Sequence, residues 1–270
     1  MKYLRLVFSA LPHIIHDMPY VNKTSKHPEN FDLNEKFNRF QRLIKNINHS
    51  SFHAVFYISG QEKLPKGQVL FTPNHTSNGD PITMVAISDR PIGFMAKKEA
   101  TKMPIIGKTN IALNGTFIDR EDLRSEILAI KNIESILNRN NGLSYVIFPE
   151  GTRSLGPDFK LGTFHPGSFK VAVNNNLPIC PVALYLTDRI LNPHYHYHAY
   201  PIQVRFLTPL YPKDYENLST KEIADKVQSM IAQSLEEMKK SDPVLVKKLN
   251  HYSDKKLNRV LIDTKHCKKR

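Results

Sequence analysis

The stretch Val69-Leu70-Phe71-Thr72-Pro73-Asn74-His75-Thr76-Ser77-Asn78-Gly79-Asp80-Pro81 changes character twice. Its apolar opening reads as a strand over residues 68–72, a short β-rich run bounded by turn residues. The polar middle is a turn. Asp80 followed by Pro81 reads as a helix start, with Asp80 as N-cap and Pro81 at the first helical position, and the helix runs on to Ile87. A strand that passes into a helix through a polar turn is a unit of α/β folds, and such turns are where those folds place ligands. The turn can hold the His75 imidazole at the open end of a strand, with the Asp80 carboxylate nearby to fix its tautomer. A pair of this kind can take a proton from a hydroxyl group. The plainer reading makes Asp80 a helix cap and His75 a surface turn residue.

Working outward, residues 143–148 form a second β-rich run. Ile179–Tyr185 is unbroken in its apolar character, as expected of a strand buried on both faces. Residues 202–207 alternate more, like a partly exposed strand. Between the first two strands lies an isoleucine-rich helix over 123–137, with Ile127, Ile130, Ile133 and Leu137 facing one way, and Gly142 closes that region. Ser219-Thr220-Lys221-Glu222 is a capping box, which opens a helix to about Lys240 with Ile223, Val227, Ile231, Leu235 and Met238 as its buried stripe. Strands alternating with helices predict an α/β fold: a mixed, largely parallel central sheet flanked by helices.

Residues 1–60 read as mainly helical. Leu4, Val7, Phe8 and Leu11 share a face of a first helix. Phe37, Phe40, Leu43, Ile44 and Ile47 recur at helical spacing in a second, which Lys36, Arg39, Arg42 and Lys45 decorate. A basic amphipathic helix with aromatic residues can lie in a membrane interface, and it can equally pack on its own domain. The expected organisation is an N-terminal amphipathic helical pair at 1–60, a catalytic α/β domain at 61–240 and a basic tail at 241–270.

The net charge is +13, from 38 basic and 25 acidic residues. From Lys239 to Arg270 eleven Lys/Arg stand against three Asp. Such a surface attracts anionic lipid, nucleic acid or anionic substrates without choosing among them. The aromatic–basic interleaving of RNA-binding modules is missing, so no nucleic-acid partner is expected. Apolar runs are far shorter than the roughly 20 residues a membrane-spanning helix requires. Pro12 and His13 interrupt the first apolar segment, which excludes a convincing secretory signal. Two cysteines, Cys180 and Cys267, make neither a disulfide framework nor a zinc site, and a reducing setting follows.

A second dense polar turn, Phe148-Pro149-Glu150-Gly151-Thr152-Arg153-Ser154, follows the apolar run Tyr145-Val146-Ile147. Gly151 allows close backbone approach. Arg153 can grip a phosphate with a planar fork. With these residues in view the sequence resembles the glycerolipid acyltransferase family, in particular its 1-acylglycerol-3-phosphate acyltransferases. Four blocks match in order. Asn74-His75 with Asp80 looks like the His-x4-Asp block, Phe117-Ile118-Asp119-Arg120 like the second, Phe148–Ser154 like the third and Leu177-Pro178-Ile179-Cys180-Pro181-Val182 like the fourth. Lys97-Lys98-Glu99, Pro104 and Gly107 fit the connecting segment. The second block departs in one respect: the family's leading glycine is Asn114 here, with Gly115 one position later.

The resemblance implies acyl transfer from a thioester of acyl carrier protein or coenzyme A to the hydroxyl of lysophosphatidate, giving phosphatidate, with no cofactor and no metal. Glycerol 3-phosphate or another lysolipid is the alternative acceptor. His75 is then the general base, and Asp80 orients its ring. Arg153, Arg120 and Lys97 bind the acceptor's phosphate, although Lys97 alone also reads as a solvated surface lysine. Glu150, Gly151, Thr152 and Phe117 shape the acceptor site, and Glu150 either bonds the glycerol hydroxyls or holds Arg153. No serine nucleophile elbow is present, and neither cysteine sits in an activating setting, so a direct transfer without an acyl-enzyme is the simpler mechanism. The run His194-Tyr195-His196-Tyr197-His198 would align three imidazoles if it were a strand, but no carboxylate or cysteine accompanies them. An anionic membrane surface is the expected partner, and the cytoplasmic face of the cell membrane the expected location, as a peripheral protein. From other classes, a basic binding protein without catalysis would turn over no thioester, and a hydrolase would release the acyl chain to water.

Overall fold

The computed structural model describes residues 2–261 apart from 104, 120–121, 140–141, 155–160, 193, 196, 254 and 258. In chain order these form α1 (Lys2–Lys26), α2 (Leu33–Ile47), β1 (Ala54–Ser59), β2 (Leu70–Pro73), α3 (Gly79–Ile87), β3 (Ile92–Lys97), α4 (Ile106–Ala112), β4 (Thr116–Ile118), α5 (Leu123–Asn138), β5 (Ser144–Val146), α6 (Lys170–Asn175), β6 (Ile179–Tyr185), β7 (Tyr200–Phe206) and α7 (Thr220–Asn250). The strands make one sheet in the order β1-β7-β6-β2-β5-β3-β4. Every pairing is parallel except β6 with β7. The expected α/β architecture is therefore present, with five co-directed strands ending at one edge.

The unbroken apolar runs are explained by two cores. Along β2, β5 and β6 alternate side chains enter opposite clusters. Leu70, Tyr145, Ile147, Ile179 and Ala183 join the side covered by α5, α6 and α7. Phe71, Val146, Phe148, Cys180 and Val182 join the side covered by α2 and α3. A strand covered on both faces has no polar face to show, which is why periodicity of two is invisible in it.

Ser219 opens α7 with the expected reciprocal box: its hydroxyl accepts the Glu222 amide, and Glu222 Oε2 accepts the Ser219 amide at 2.7 Å. The stripe from Ile223 to Met238 is buried as expected. The helix does not stop near Lys240. It continues through Pro243 to Asn250, and Leu249 packs with Val55, Ala199, Leu257 and Leu261 in a small third cluster.

Four further expectations are corrected. The helical reading of the first sixty residues gives way at Ala54, where β1 begins and pairs with β7 from Ala54↔Tyr200 to Ser59↔Arg205. β7 is buried rather than partly exposed, because it lies between β1 and β6 with α7 against it; only Arg205 within it reaches solvent in part. In α5, Ile130, Ile133 and Leu137 are buried while Ile127 faces outward. Of the histidine run, His196 lies outside the described residues, and the rest is irregular chain, so strand alternation does not align the rings.

The N-terminal pair is present. The apolar face of α2 is core, with Phe37, Phe40 and Leu43 buried. α1 packs on α2 and α4, and its Ala10 and Val21 are buried. Its first half leaves Val7, Phe8 and Ile15 about three-fifths exposed, at 59%, 63% and 63%. Among the described residues no helix is long and apolar enough to cross a membrane.

Candidate active site

β2 and β5 are neighbours and co-directed, in register at Leu70↔Tyr145 and Phe71↔Val146. Their carboxyl ends therefore deliver the two polar turns to one edge of the sheet. The turns, remote in sequence, are joined at His75 in three ways. The His75 amide donates to Glu150 Oε1 at 2.6 Å. The Ser154 amide donates to the His75 carbonyl at 2.9 Å. The His75 ring stacks on Phe148 with centroids 4.3 Å apart.

His75 Nδ1 lies 2.7 Å from Asp80 Oδ2. An ionised carboxylate only accepts, so Nδ1 carries the hydrogen and the lone pair sits on Nε2. Asp80 is wholly buried, while the imidazole keeps 17% exposure. Asp80 is not the helix N-cap that the sequence suggests. Asn78 holds that position, and Asp80 lies inside the first turn of α3. Its Oδ2 instead accepts the amides of Thr76 at 2.6 Å and Ser77 at 2.9 Å. A buried carboxylate must be fully bonded to remain charged, and these amides, the imidazole and the Thr187 hydroxyl on Oδ1 do this.

Glu150 bridges the two turns. Its carboxylate is buried and holds the turns together. Oε1 takes the His75 amide, and Oε2 takes the Ser154 hydroxyl and, at 2.7 Å, the Gly162 amide. Gly151 beside it has φ +66°, a left-handed conformation that favours glycine. Thr152 and Arg153 are exposed at the turn's tip, and Arg153 Nη1 donates to Asn78 Oδ1 at 3.1 Å. Lys97 ends β3, the strand next to β5, and is exposed at the same edge of the sheet. Phe117 is half-buried in β4, paired with Ala96. Arg120 lies outside the described residues.

The departure in the second block has a backbone explanation. Asn114 adopts φ +57°, the region where glycine is freest and asparagine is the best-tolerated replacement. Its carbonyl accepts the buried Tyr145 hydroxyl at 2.5 Å. At the next residue, Gly115, a Cβ would fall 1.9 Å from Asn110 Oδ1, so any side chain there would have to displace Asn110.

Cys180 is buried in β6, and burial pushes its thiol up to about 12. A thiol so far from ionising at neutral pH is a poor nucleophile. Cys267 lies outside the described residues. No group of His, Cys, Asp and Glu suited to a metal ion occurs among the described residues.

A His–Asp pair and the Phe148–Ser154 turn, brought together at the carboxyl edge of this sheet, are the arrangement expected of an acyltransferase. The Acyltransferase family model matches residues 55–185. A probable 1-acyl-sn-glycerol-3-phosphate acyltransferase of Mycoplasma pneumoniae is 28% identical over 220 residues, 77% of this chain and 80% of that protein. A 1-acyl-sn-glycerol-3-phosphate acyltransferase of Borreliella burgdorferi is 32% identical over 132 residues, 48% of this chain and 51% of that protein. The crystal structure of the LPA acyltransferase PlsC from Thermotoga maritima shares the fold, with TM-score 0.65 and 23% identity over 88% of this chain and 98% of that one. The chain thus resembles the glycerolipid acyltransferases, most fully over residues 55–185.

Thr187 and Gly162 carry no signal in the sequence that marks them for the site. Thr187 is brought there by the folded sheet and Gly162 by a loop, although Thr187 follows shortly after the fourth block.

Proposed function

We propose that this chain is a 1-acyl-sn-glycerol-3-phosphate acyltransferase, moving a fatty acyl group from a thioester of acyl carrier protein or coenzyme A to the free hydroxyl of lysophosphatidate. The observation that carries the reading is the 2.7 Å bond from His75 Nδ1 to a buried Asp80, which leaves Nε2 as the basic nitrogen. In the step, Nε2 takes the hydroxyl proton as the oxygen attacks the thioester carbonyl carbon. The carbon–sulfur bond then breaks, and the imidazolium returns its proton to the departing thiolate. Asp80 stabilises the cation that exists in between. A base placed in this way supplies roughly a hundred- to ten-thousand-fold in rate. The inert setting of Cys180 favours direct transfer over an acyl-enzyme.

Arg153, beside His75 through Ser154, is assigned to the acceptor phosphate, with Lys97 and Arg120 as further cations. Gly151 and Thr152 shape that wall, and Phe117 flanks it. The N-terminal helical region serves as the membrane contact, through the exposed Val7, Phe8 and Ile15, and holds the protein peripherally at the cytoplasmic face. The α/β domain carries the chemistry, and the basic C-terminal segment adds attraction to anionic lipid.

The test incubates purified protein with labelled acyl donor and, separately, lysophosphatidate, glycerol 3-phosphate and other lysolipids on vesicles. The expected product is labelled phosphatidate from lysophosphatidate. A preference for glycerol 3-phosphate would move the reading to the other acceptor. Free fatty acid formed equally with and without acceptor would make the protein a hydrolase.

A further inference from the structure

The dyad's turn is closed from behind by a residue that none of the four blocks contains. Thr187 follows β6 and is wholly buried. Its hydroxyl donates to Asp80 Oδ1, the oxygen that His75 does not use. Asp80 has no proton to offer, so the Thr187 hydrogen is committed to it. The 3.2 Å contact between Thr187 Oγ1 and Thr76 Oγ1 is then made with Thr76 as donor. A short chain of hydroxyls therefore ends on the carboxylate that holds the catalytic ring.

The backbone around Thr187 is built to put the hydroxyl there. Leu186, just before it, sits at φ +60° and ψ +37°, which a bulky side chain adopts only where the surroundings over-determine it. The strand end beneath is fixed to the dyad's turn. Asn74 Nδ2 donates to the Leu184 carbonyl at 3.0 Å, and the Leu184 amide donates to Asn74 Oδ1 at 2.8 Å. The Thr187 carbonyl lies 3.1 Å from where a Cβ on Gly79 would stand, so this segment rests directly on the first turn of α3.

We infer that Thr187 is a positioning residue for the dyad: it fixes the rotation of the Asp80 carboxylate, so that Oδ2 stays aligned with His75 Nδ1. The three partners of Oδ2 come from residues 75–77 of a single turn, and Thr187 is the described partner that anchors the second oxygen from another part of the sheet. The catalytic consequence rests on the functional reading above. The alignment itself does not.

The test compares Thr187→Val, which keeps shape and loses the hydroxyl, with Thr187→Ser, which keeps it. Two readouts are taken: kcat and KM for acyl transfer, and the low-field NMR resonance of the His75 Nδ1 hydrogen. Thr187→Val is expected to lower kcat about tenfold, the scale of one hydrogen bond to a charged group, with KM little changed. It should also displace the His75 resonance, and Thr187→Ser should restore both. The inference is overturned by a wild-type kcat and resonance in Thr187→Val, by lost activity with an unmoved resonance, or by a serine variant no better than valine. If the wild type acylates no lysophosphatidate, the functional reading fails, while the resonance still judges Thr187.

Discussion

The turn after β2 and the first half of α1 are both short stretches whose sequence admits a bland and a functional reading, and the structure treats them in opposite ways. In the turn, polar groups are driven inside: Asp80 is wholly buried and bonded to the His75 ring, two amides and a hydroxyl. In α1, large apolar groups are left outside, with Phe8 and Ile15 each 63% exposed. Both are departures from what burial alone would choose, and such departures carry information. α2 supplies the contrast. Its periodicity and basic flank match those of a membrane-seeking helix, yet Phe37 and Phe40 are core.

The largest effect is expected at Asp80. Asp80→Asn replaces an acceptor-only group by an amide whose N–H can donate to His75 Nδ1 and so shift the ring's hydrogen to Nε2, and kcat should fall on the order of a thousandfold or more. Steady-state transfer by a folded variant checks this, and an unchanged kcat would reduce Asp80 to a structural residue. The helices are sharpened as a pair. Phe40→Ser should destabilise the fold by about 3–5 kcal/mol in denaturant unfolding, as large-to-small changes of a buried phenylalanine do. Phe8→Ser should leave stability within about 0.5 kcal/mol. Its vesicle affinity should fall about tenfold, the scale of one lost apolar insertion. Unaltered vesicle binding by Phe8→Ser would remove α1 as the membrane contact. The smallest effect belongs to Asn114, whose left-handed backbone costs an ordinary residue about 1–2 kcal/mol. Asn114→Ala should therefore lose about 1 kcal/mol in unfolding and Asn114→Gly much less.

What the sequence made legible follows from how local each signal is. β6 was readable to the residue because burial on both faces leaves an all-apolar run. The start of α7 was readable because Ser219 and Glu222 make their cap within one turn. β1 was not, since Ala54–Ser59 is held by β7, whose residues lie far along the chain. β3 and β4 escaped for a related reason: Gly93 interrupts one, and the other spans only Thr116–Ile118. The site divides in the same way. His75 and Asp80 belong to one turn, and their pairing is visible in their spacing. Glu150 was visible as a residue but not in its role, because its partners His75 and Gly162 are brought to it by the sheet and by a loop. Thr187 was invisible until β6 was laid beside β2.

One imidazole carries the chemistry. Acyl transfer to lysophosphatidate by His75→Ala, at saturating donor and acceptor and with folded protein matched to wild type, measures its contribution directly. A fall in kcat of at least about a hundredfold, with vesicle binding retained, is the predicted result. Turnover at the wild-type rate in that variant would contradict the assignment of His75 as the base.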